Sequence, residues 1–470
     1  MSVPVITVPQ MREWESATWA AGQTEAEVIR RVGKRLGRRV RKLTGASAAI
    51  LILAGKGNNG ADARAMQEFL DERKTEILDV TAPATDLPKF QELLKKKFAL
   101  IVDGLFGIGL NRPLDEDWQK FIAAVNASKI PILAVDVPSG LNGETGEPMG
   151  AAIEAVLTLT VAAPKAGMLA PSAWPYVGRL EVLDSVGLIP CPLKSELNWT
   201  ERDDFQDFPP RRPVAAHKGS FGHLAIVAGS LGYHGASVLA SRGAQRAQPG
   251  LITVFTQESI YHPVAAQMQG AMVNLWKPDT KAFEKASAIL FGPGLAAPEL
   301  PDEMKLILRR LWRDFPHPLV VDASALDWLA AHALPKNLVR IVTPHPGEAA
   351  RMINSTAQKV QMNRIHAVRE ISQRYGNCWV VLKGHQTLVG RSEGEIHVNS
   401  SGNPHLAQGG SGDVLSGFIA GFLAQPALQA DAGLTIRHAV WRHGDAADEL
   451  QAAGGGWVVE DLIKELGNPP

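Results

Sequence analysis

Short runs made almost wholly of apolar residues, many closed by glycine or aspartate, recur along the whole of this 470-residue chain. The clearest is AAILILA at 48–54, and similar runs stand at 75–80, 99–104, 130–135, 156–162 and 178–183. A strand is apolar at every position only when both of its faces are covered. Such strands, separated by amphipathic stretches, predict a parallel sheet with helices on both sides. A helix is expected at 63–73, directly after the first run. The rhythm returns at 224–228, 251–255, 288–291, 319–321, 340–342 and 379–382, with helices expected at 414–423 and 430–453. The fold class is therefore α/β, in two domains.

Between the two series lies a segment rich in proline and charge, with DDFQDFPPRRP at 203–213. Adjacent prolines at 209 and 210 fit neither a helix interior nor a central strand. The organisation read from this is a domain at 1–190, a linker at 191–212 and a domain at 213–470. A single large domain with a long surface loop is the alternative, and it sits poorly with usual domain sizes.

Composition removes several function classes. Lys and Arg total 48 and so do Asp and Glu, so no basic excess favours nucleic acid or an anionic membrane. The two cysteines, Cys191 and Cys378, form no metal-ligand pattern and read as free thiols. No apolar stretch approaches the roughly 18 residues of a membrane span, and the first residues lack the pattern of a secretory signal. A cytoplasmic protein is expected.

In the first half, the strand at 48–54 runs into GKGNNGAD. A glycine-rich turn before a helix exposes backbone N–H groups where the helix dipole is positive, and it can cradle a phosphate. Alone this is also the pattern of a plain tight turn. Asp103 ends ALIVD before GLFGIG, and Asp136 ends ILAVD before VPSGL. In open parallel sheets ligands bind beyond the carboxyl ends of the strands. Three such strand ends together point to a site rather than to three separate caps.

In the second half, HKGSFG (217–222), GPGL (292–295), DASAL (322–326), TPHPGE (343–348) and Lys383-Gly384 punctuate the strand ends. GNPHLAQGGSGD (402–413) then leads into a helix. Amides of Gly409, Gly410, Ser411 and Gly412 would face an anion at that helix start, and Asp413 could take a proton from an attacking hydroxyl. His345 reads as a substrate contact or, more plainly, as a turn residue. Lys383 reads as a phosphate ligand or as half of a cap.

GKGNNGAD, VDGLFGIG and VDVPSGLNGETG together resemble the NAD(P)H-hydrate epimerase domain, a Rossmann-like doubly wound sheet, over about residues 5–190. The resemblance implies hydrate contacts from Asn58, Asn59, Gly60, Ala61 and Asp62, and from Gly107, Ile108, Gly109, Leu110, Asn111, Arg112 and Pro113. It implies Asp136 as the acid/base residue and a potassium ion on Asn59, Asp103 and Ser139. The departures are Ala61 and Ala63 for two glycines of the family's NNGGDG, Glu15 for an aspartate, Asn142 for another, and IRRVG (29–33) for Met-Glu-Asn-Ala-Gly. A methyl group at 61 or 63 could block close backbone approach. The domain would then be a slow epimerase or mainly structural.

The second half resembles the ADP/ATP-dependent NAD(P)H-hydrate dehydratases, which have a ribokinase-like α/β fold, over about 213–465. The resemblance implies nucleotide contacts from Lys383, Gly384, His385, Gln386 and Thr387 and from the 409–412 loop. It implies hydrate contacts from Gly294, His345 and Asp413, with Asp413 catalytic and magnesium accompanying the nucleotide. Ser324 replaces the family's second aspartate, and Gln248-Pro249-Gly250 stands where Gly-Ala-Gly is usual. The function implied is dehydration of the S epimer of hydrated NADH and NADPH at the expense of ADP or, less favoured, ATP, with the first domain converting R to S. A homo-oligomer is expected. The alternative is a ribokinase-fold small-molecule kinase with a non-catalytic N-terminal assembly domain.

Overall fold

The computed structural model describes residues 2–468 except Glu72, Ala333 and Lys336. The chain divides into two compact units, Val3–Ser195 and a second that runs from Glu196.

The first unit is a parallel sheet in the order Lys74–Asp79, Ala49–Ala54, Leu100–Gly104, Ile132–Val135, Leu157–Val161, Arg179–Leu183. Each of these strands falls on one of the apolar runs. One face carries the helices Val8–Ala20 and Glu25–Leu43, which bury Met11, Trp14, Val28, Val32, Leu36 and Val40. On the other face, Phe90 and Phe121 belong to a core with Leu51, Leu53 and Ile101. The helix expected at 63–73 begins earlier, as Asn58–Ala65, and continues as a 3-10 turn, Met66–Phe69. The reason is Gly60: a Cβ there would run into the backbone of Gly55. Glycine lets the helix start against the strand end, so the open turn shrinks to Gly55–Gly57.

The second unit has a mixed sheet. Its parallel part runs Arg340–Val342, Leu319–Val321, Ala288–Phe291, His223–Val227, Leu251–Thr256, Met272–Leu275. Trp379–Leu382 joins it in parallel and then turns back through the antiparallel strands Leu388–Gly390 and Ile396–Asn399. The segment read as a linker is corrected here. Leu197–Thr200 is a strand paired in parallel with Ile396–Asn399, and Arg202–Phe205 forms a 3-10 turn with Phe205 buried. Prolines 209 and 210 mark only the end of that ordered stretch. The helices His234–Arg246 and Ser411–Leu423 cross closely, because a Cβ on Gly417 would run into the Ala240 carbonyl and one on Gly243 into that of Val414. This crossing fixes where the Ser411 helix begins. No helix of the described residues is long and apolar enough to cross a membrane.

Candidate functional site

In the first unit, Ala49–Ala54 and Leu100–Gly104 are neighbours from which the chain departs to opposite sides. An open α/β sheet has its ligand crevice at such a switch point. A cavity of about 590 Å³ lies there, lined by Gly55–Asn59, Asp62, Leu105–Arg112 and Asp136. Of the residues expected to meet the hydrate, Gly60, Ala61 and Pro113 stand outside this lining. Gly60 is packed on Gly55. Ala63 is fully buried in the helix–sheet core, so its methyl does not reach the cavity. Glu25, Arg12 and Trp19, which carry no sequence motif, line it together with Glu15.

Asn59, Asp103 and Ser139 converge behind the cavity. Asp103 accepts hydrogen bonds from the Ser139 amide (2.8 Å), the Ser139 hydroxyl (2.6 Å) and the Leu105 amide (3.2 Å). Asn59 Nδ2 donates to the Phe106 carbonyl at 2.7 Å, and the Ser139 hydroxyl lies 3.2 Å from that same oxygen. Burial pushes the Asp103 carboxyl up to about 6 although these hydrogen bonds work in the opposite direction. The cluster is an oxygen-rich, dehydrated set of the kind that suits a hard cation.

Asp136 follows its strand with φ 62°, a left-handed conformation that aspartate tolerates better than most residues. Its Oδ1 accepts from the Val161 amide (3.0 Å), the Thr160 hydroxyl (3.2 Å) and Lys165 Nζ (2.5 Å). Lys165 is 0% exposed and also donates to the Val161 carbonyl at 2.9 Å. Its backbone is held by hydrogen bonds from Ile6 to Pro164 and from Ala166 to Ile6. Sequence reasoning missed Lys165, since no motif marks APKAG. Burial first, then the charges of Asp136, Glu15 and Glu25, raise the Asp62 carboxyl well above the usual range. Glu15 is raised by burial and by Asp136.

In the second unit the helix Ser411–Leu423 starts after Gly410, which is left-handed at φ 93°, and no side chain caps it. The helix therefore opens ahead of the expected residue 414, and Asp413 falls in its first turn. An uncapped helix start carries unsatisfied N–H groups and a partial positive charge. His443 Nε2 lies 3.2 Å from the Ser411 carbonyl, and burial pushes its imidazole down to about 4, so it is neutral and steadies this turn.

Lys383 reaches the same place: a Cβ on Gly412 would be 3.3 Å from its Nζ. The ammonium lies 2.9 Å from Asp322 and 3.9 Å from Glu348. Burial alone would lower the Lys383 pKa, but Asp322, Glu348 and Asp413 together raise it. Among the described residues the Asp413 carboxyl has no such partner. Burial, with Asp322 and then Glu348 adding to it against Lys383, pushes it up to about 7. Residues 383–387 form the turn between two antiparallel strands, with Gly384 and Gln386 at positive φ (125° and 51°). The Lys383 amide donates to the Pro344 carbonyl at 2.9 Å, tying this turn to the TPHPGE loop. Buried Arg364 donates to the carbonyls of Leu382 (3.1 Å) and Gln386 (3.4 Å).

His345 serves as a turn residue. Its Nδ1 accepts from the amides of Gly347 (3.0 Å) and Glu348 (3.3 Å), capping the helix Pro346–Met352. Nε2, 3.3 Å from the Glu348 carboxylate, then carries the proton. Gly294 lies at the unit's own switch point, where the Ser230 hydroxyl donates to its carbonyl at 2.6 Å. Asp322 and Glu348 stand inside the DASAL and TPHPGE motifs with no role that the sequence assigns; the structure gathers both around Lys383.

These geometries define a Rossmann-like unit and a ribokinase-like unit in one chain, each with its polar cluster beyond the carboxyl ends of the strands. The sequence model described as NAD(P)H-hydrate dehydratase matches residues 224–467, and that described as YjeF-related protein N-terminus matches 74–167. A bifunctional NAD(P)H-hydrate repair enzyme of Coxiella burnetii is 33% identical, with 97% of each chain covered. One from Escherichia coli is 34% identical over 88% of this chain and 84% of its own. A ribokinase-like superfamily protein of Enterococcus faecalis superposes with a TM-score of 0.50 at 26% identity, covering 58% of this chain and 95% of its own. The chain belongs to the bifunctional NAD(P)H-hydrate repair enzyme family. That full-length likeness does not favour the small-molecule kinase alternative.

Proposed function

We propose that this chain repairs hydrated NADH and NADPH, the second unit dehydrating the S epimer at the expense of ADP and the first converting R to S. The observation that carries it is the uncapped start of the Ser411 helix, with the Asp413 carboxyl in its first turn and the Lys383 ammonium beside it. Hydroxide leaves a reduced nicotinamide ring poorly. Asp413 takes the proton of the ring hydroxyl, whose oxygen attacks the terminal phosphorus of ADP; AMP leaves. The ring C–O bond then breaks, the oxygen departing as phosphate, and a proton leaves the adjacent ring carbon, which restores the double bond of NAD(P)H. Amides of the 409–412 turn and Lys383 stabilise the charge on the phosphoryl group in flight. The 383–387 turn would hold the nucleotide, and Gly294 and His345 would border the hydrate.

Magnesium fits this arrangement without a protein cage. Among the described residues no three His, Cys, Asp or Glu side chains converge as metal ligands. Magnesium is held mostly by phosphate oxygens and water with one or two carboxylates. Glu348, only loosely engaged by Lys383, would be the one to hold it, and the ion would neutralise phosphate charge.

In the first unit Asp136 would move the proton at the hydrated ring carbon, with Lys165 fixing its carboxylate. Potassium would sit on Asn59, Asp103 and Ser139 and would offset the negative charge buried there. A cytoplasmic setting agrees with the free thiols Cys191 and Cys378.

The test is direct. The protein is mixed with S-hydrate, ADP and magnesium, and NADH absorbance is followed. Regeneration with release of AMP and phosphate is expected. A stable phosphorylated product without NADH would overturn the dehydratase reading. R-hydrate given to the same mixture, corrected for its spontaneous conversion, reports the epimerase.

A further inference from the structure

We propose that Asp322 is a positioning residue for the dehydratase, holding the Lys383 ammonium against the start of the Ser411 helix where the transferred phosphate would lie. The proposal rests on the dehydratase reading above and adds a residue to it.

Three observations support it. Asp322 is 1% exposed and lies at the end of the strand Leu319–Val321, on the rigid sheet. Its Oδ1 accepts from Lys383 Nζ at 2.9 Å, whereas Glu348 is a full ångström further from that nitrogen at 3.9 Å. Lys383 in turn lies where a Cβ on Gly412 would come within 3.3 Å of it. A lysine side chain has four rotatable carbons and three donors, so nothing in its own chemistry points it at one place. A buried carboxylate on a strand end does so, taking one donor and leaving the others for phosphate oxygens. Asp322 itself has no need to meet nucleotide or hydrate.

The test is a double-mutant cycle with the full chain. Asp322→Asn and Asp322→Glu are made alone and in the Lys383→Ala background. The rate of NADH regeneration is measured against hydrate and ADP separately. For Asp322→Asn alone, kcat is expected to fall about tenfold or more while the hydrate KM stays within about threefold, since positioning is lost and hydrate binding is not. Asp322→Glu, which keeps the charge, restores part of the loss. In the Lys383→Ala background Asp322→Asn adds less than about threefold, because residues acting through one contact are not additive. Losses that multiply fully in that background, or no loss from Asp322→Asn alone, overturn the proposal. Should Asp322→Asn not fold, Asp322→Glu carries the cycle alone: its loss must vanish when Lys383 is absent, and a loss that persists overturns the proposal. A wild-type chain that fails to regenerate NADH removes the dehydratase reading itself, which is a different result.

Discussion

Each unit sets a lysine near an aspartate proposed for proton transfer, Lys165 buried and Lys383 half-buried, and the two are engaged differently. In the first unit Lys165 donates directly to Asp136. In the second, Lys383 is bound to Asp322, and among the described residues Asp413 has no direct partner. The consequence is electrostatic. Half-buried Asp413, facing two more carboxylates, is pushed up to about 7, while in the first unit Asp62 and Glu15 are raised beside the paired Asp136 and Asp103 is pushed up to about 6. The same residue types thus give a base poised near neutrality in one place and a lysine-bound aspartate beside carboxyls raised above their usual range in the other.

The largest effect should come from separating the two aspartates. Asp413→Asn is expected to lower NADH regeneration from S-hydrate by about 10²–10⁴ and to leave epimerisation of R-hydrate intact. Asp136→Asn should do the reverse. Chromatographic separation of the R and S hydrates reads both activities, and loss of both from either substitution would end the picture of two independent sites.

Next comes pH. Asp413 acts as a base only when ionised, so dehydratase kcat/KM should fall about tenfold per unit as pH drops below about 7. The same shift has a cost in stability. The folded carboxyl holds its proton more tightly than the unfolded one, whose ordinary value is 3.8. The penalty is therefore absent below about 4, grows as pH rises to about 7 and is fully present above it. Asp413→Asn escapes it. Its melting temperature should exceed that of the wild type by a few degrees at pH 8, since about 1 kcal/mol corresponds to roughly 2–4 °C for a domain of this size, and should match it near pH 4. A lower melting temperature at pH 8 would mean that the carboxylate is compensated after all.

How far these sites could be read from the sequence depended on what kind of signal each residue left. Strands covered on both faces are apolar almost throughout, so Ala49–Ala54, Leu100–Gly104 and Ile132–Val135 stood out, whereas Lys74–Asp79 (KTEILD) and Arg179–Leu183 (RLEVL) carry charge and were read from the rhythm around them. Leu197–Thr200 (LNWT) and Ile396–Asn399 (IHVN) alternate polar and apolar residues over only four positions each, too short a run to separate them from loop. Asp103, Asp136 and the GGSGD turn were legible because glycine and aspartate at strand ends are a local pattern. Lys165 was not, and Asp322 was visible as a strand-end aspartate without its role, because both roles depend on partners 29 and 61 residues away. His345 was legible as either of two things; the helix it caps shows the turn role, and the substrate contact stands as a proposal beside it.

A smaller effect tests the cation proposed for the first unit. Asp103 has a folded value of about 6, above its ordinary 3.8, so its penalty on the fold grows as pH rises from about 4 to about 6 and is fully present above that, where the folded carboxyl is charged. Potassium bound beside it would offset that charge. The gain in melting temperature from potassium over a bulky organic cation should be clear at pH 8 and nearly gone at pH 5. An equal gain at both would place the ion elsewhere.

The smallest expected effect is also the one that bears most on whether the first unit works at all. Ala61 and Ala63 replace glycines of the family's loop, and a methyl at a phosphate-binding turn can exclude the ligand. In this chain both residues lie inside the helix Asn58–Ala65, neither lines the cavity, and Ala63 is packed in the core. Alanine is also favoured over glycine in a helix by roughly 1 kcal/mol. Ala61→Gly should therefore change the epimerase rate by less than about twofold and lower the melting temperature slightly, by up to roughly 4 °C for that energy. A rate that rises tenfold would show that the methyl does obstruct the hydrate, and the first unit would then be the degraded partner of an intact dehydratase.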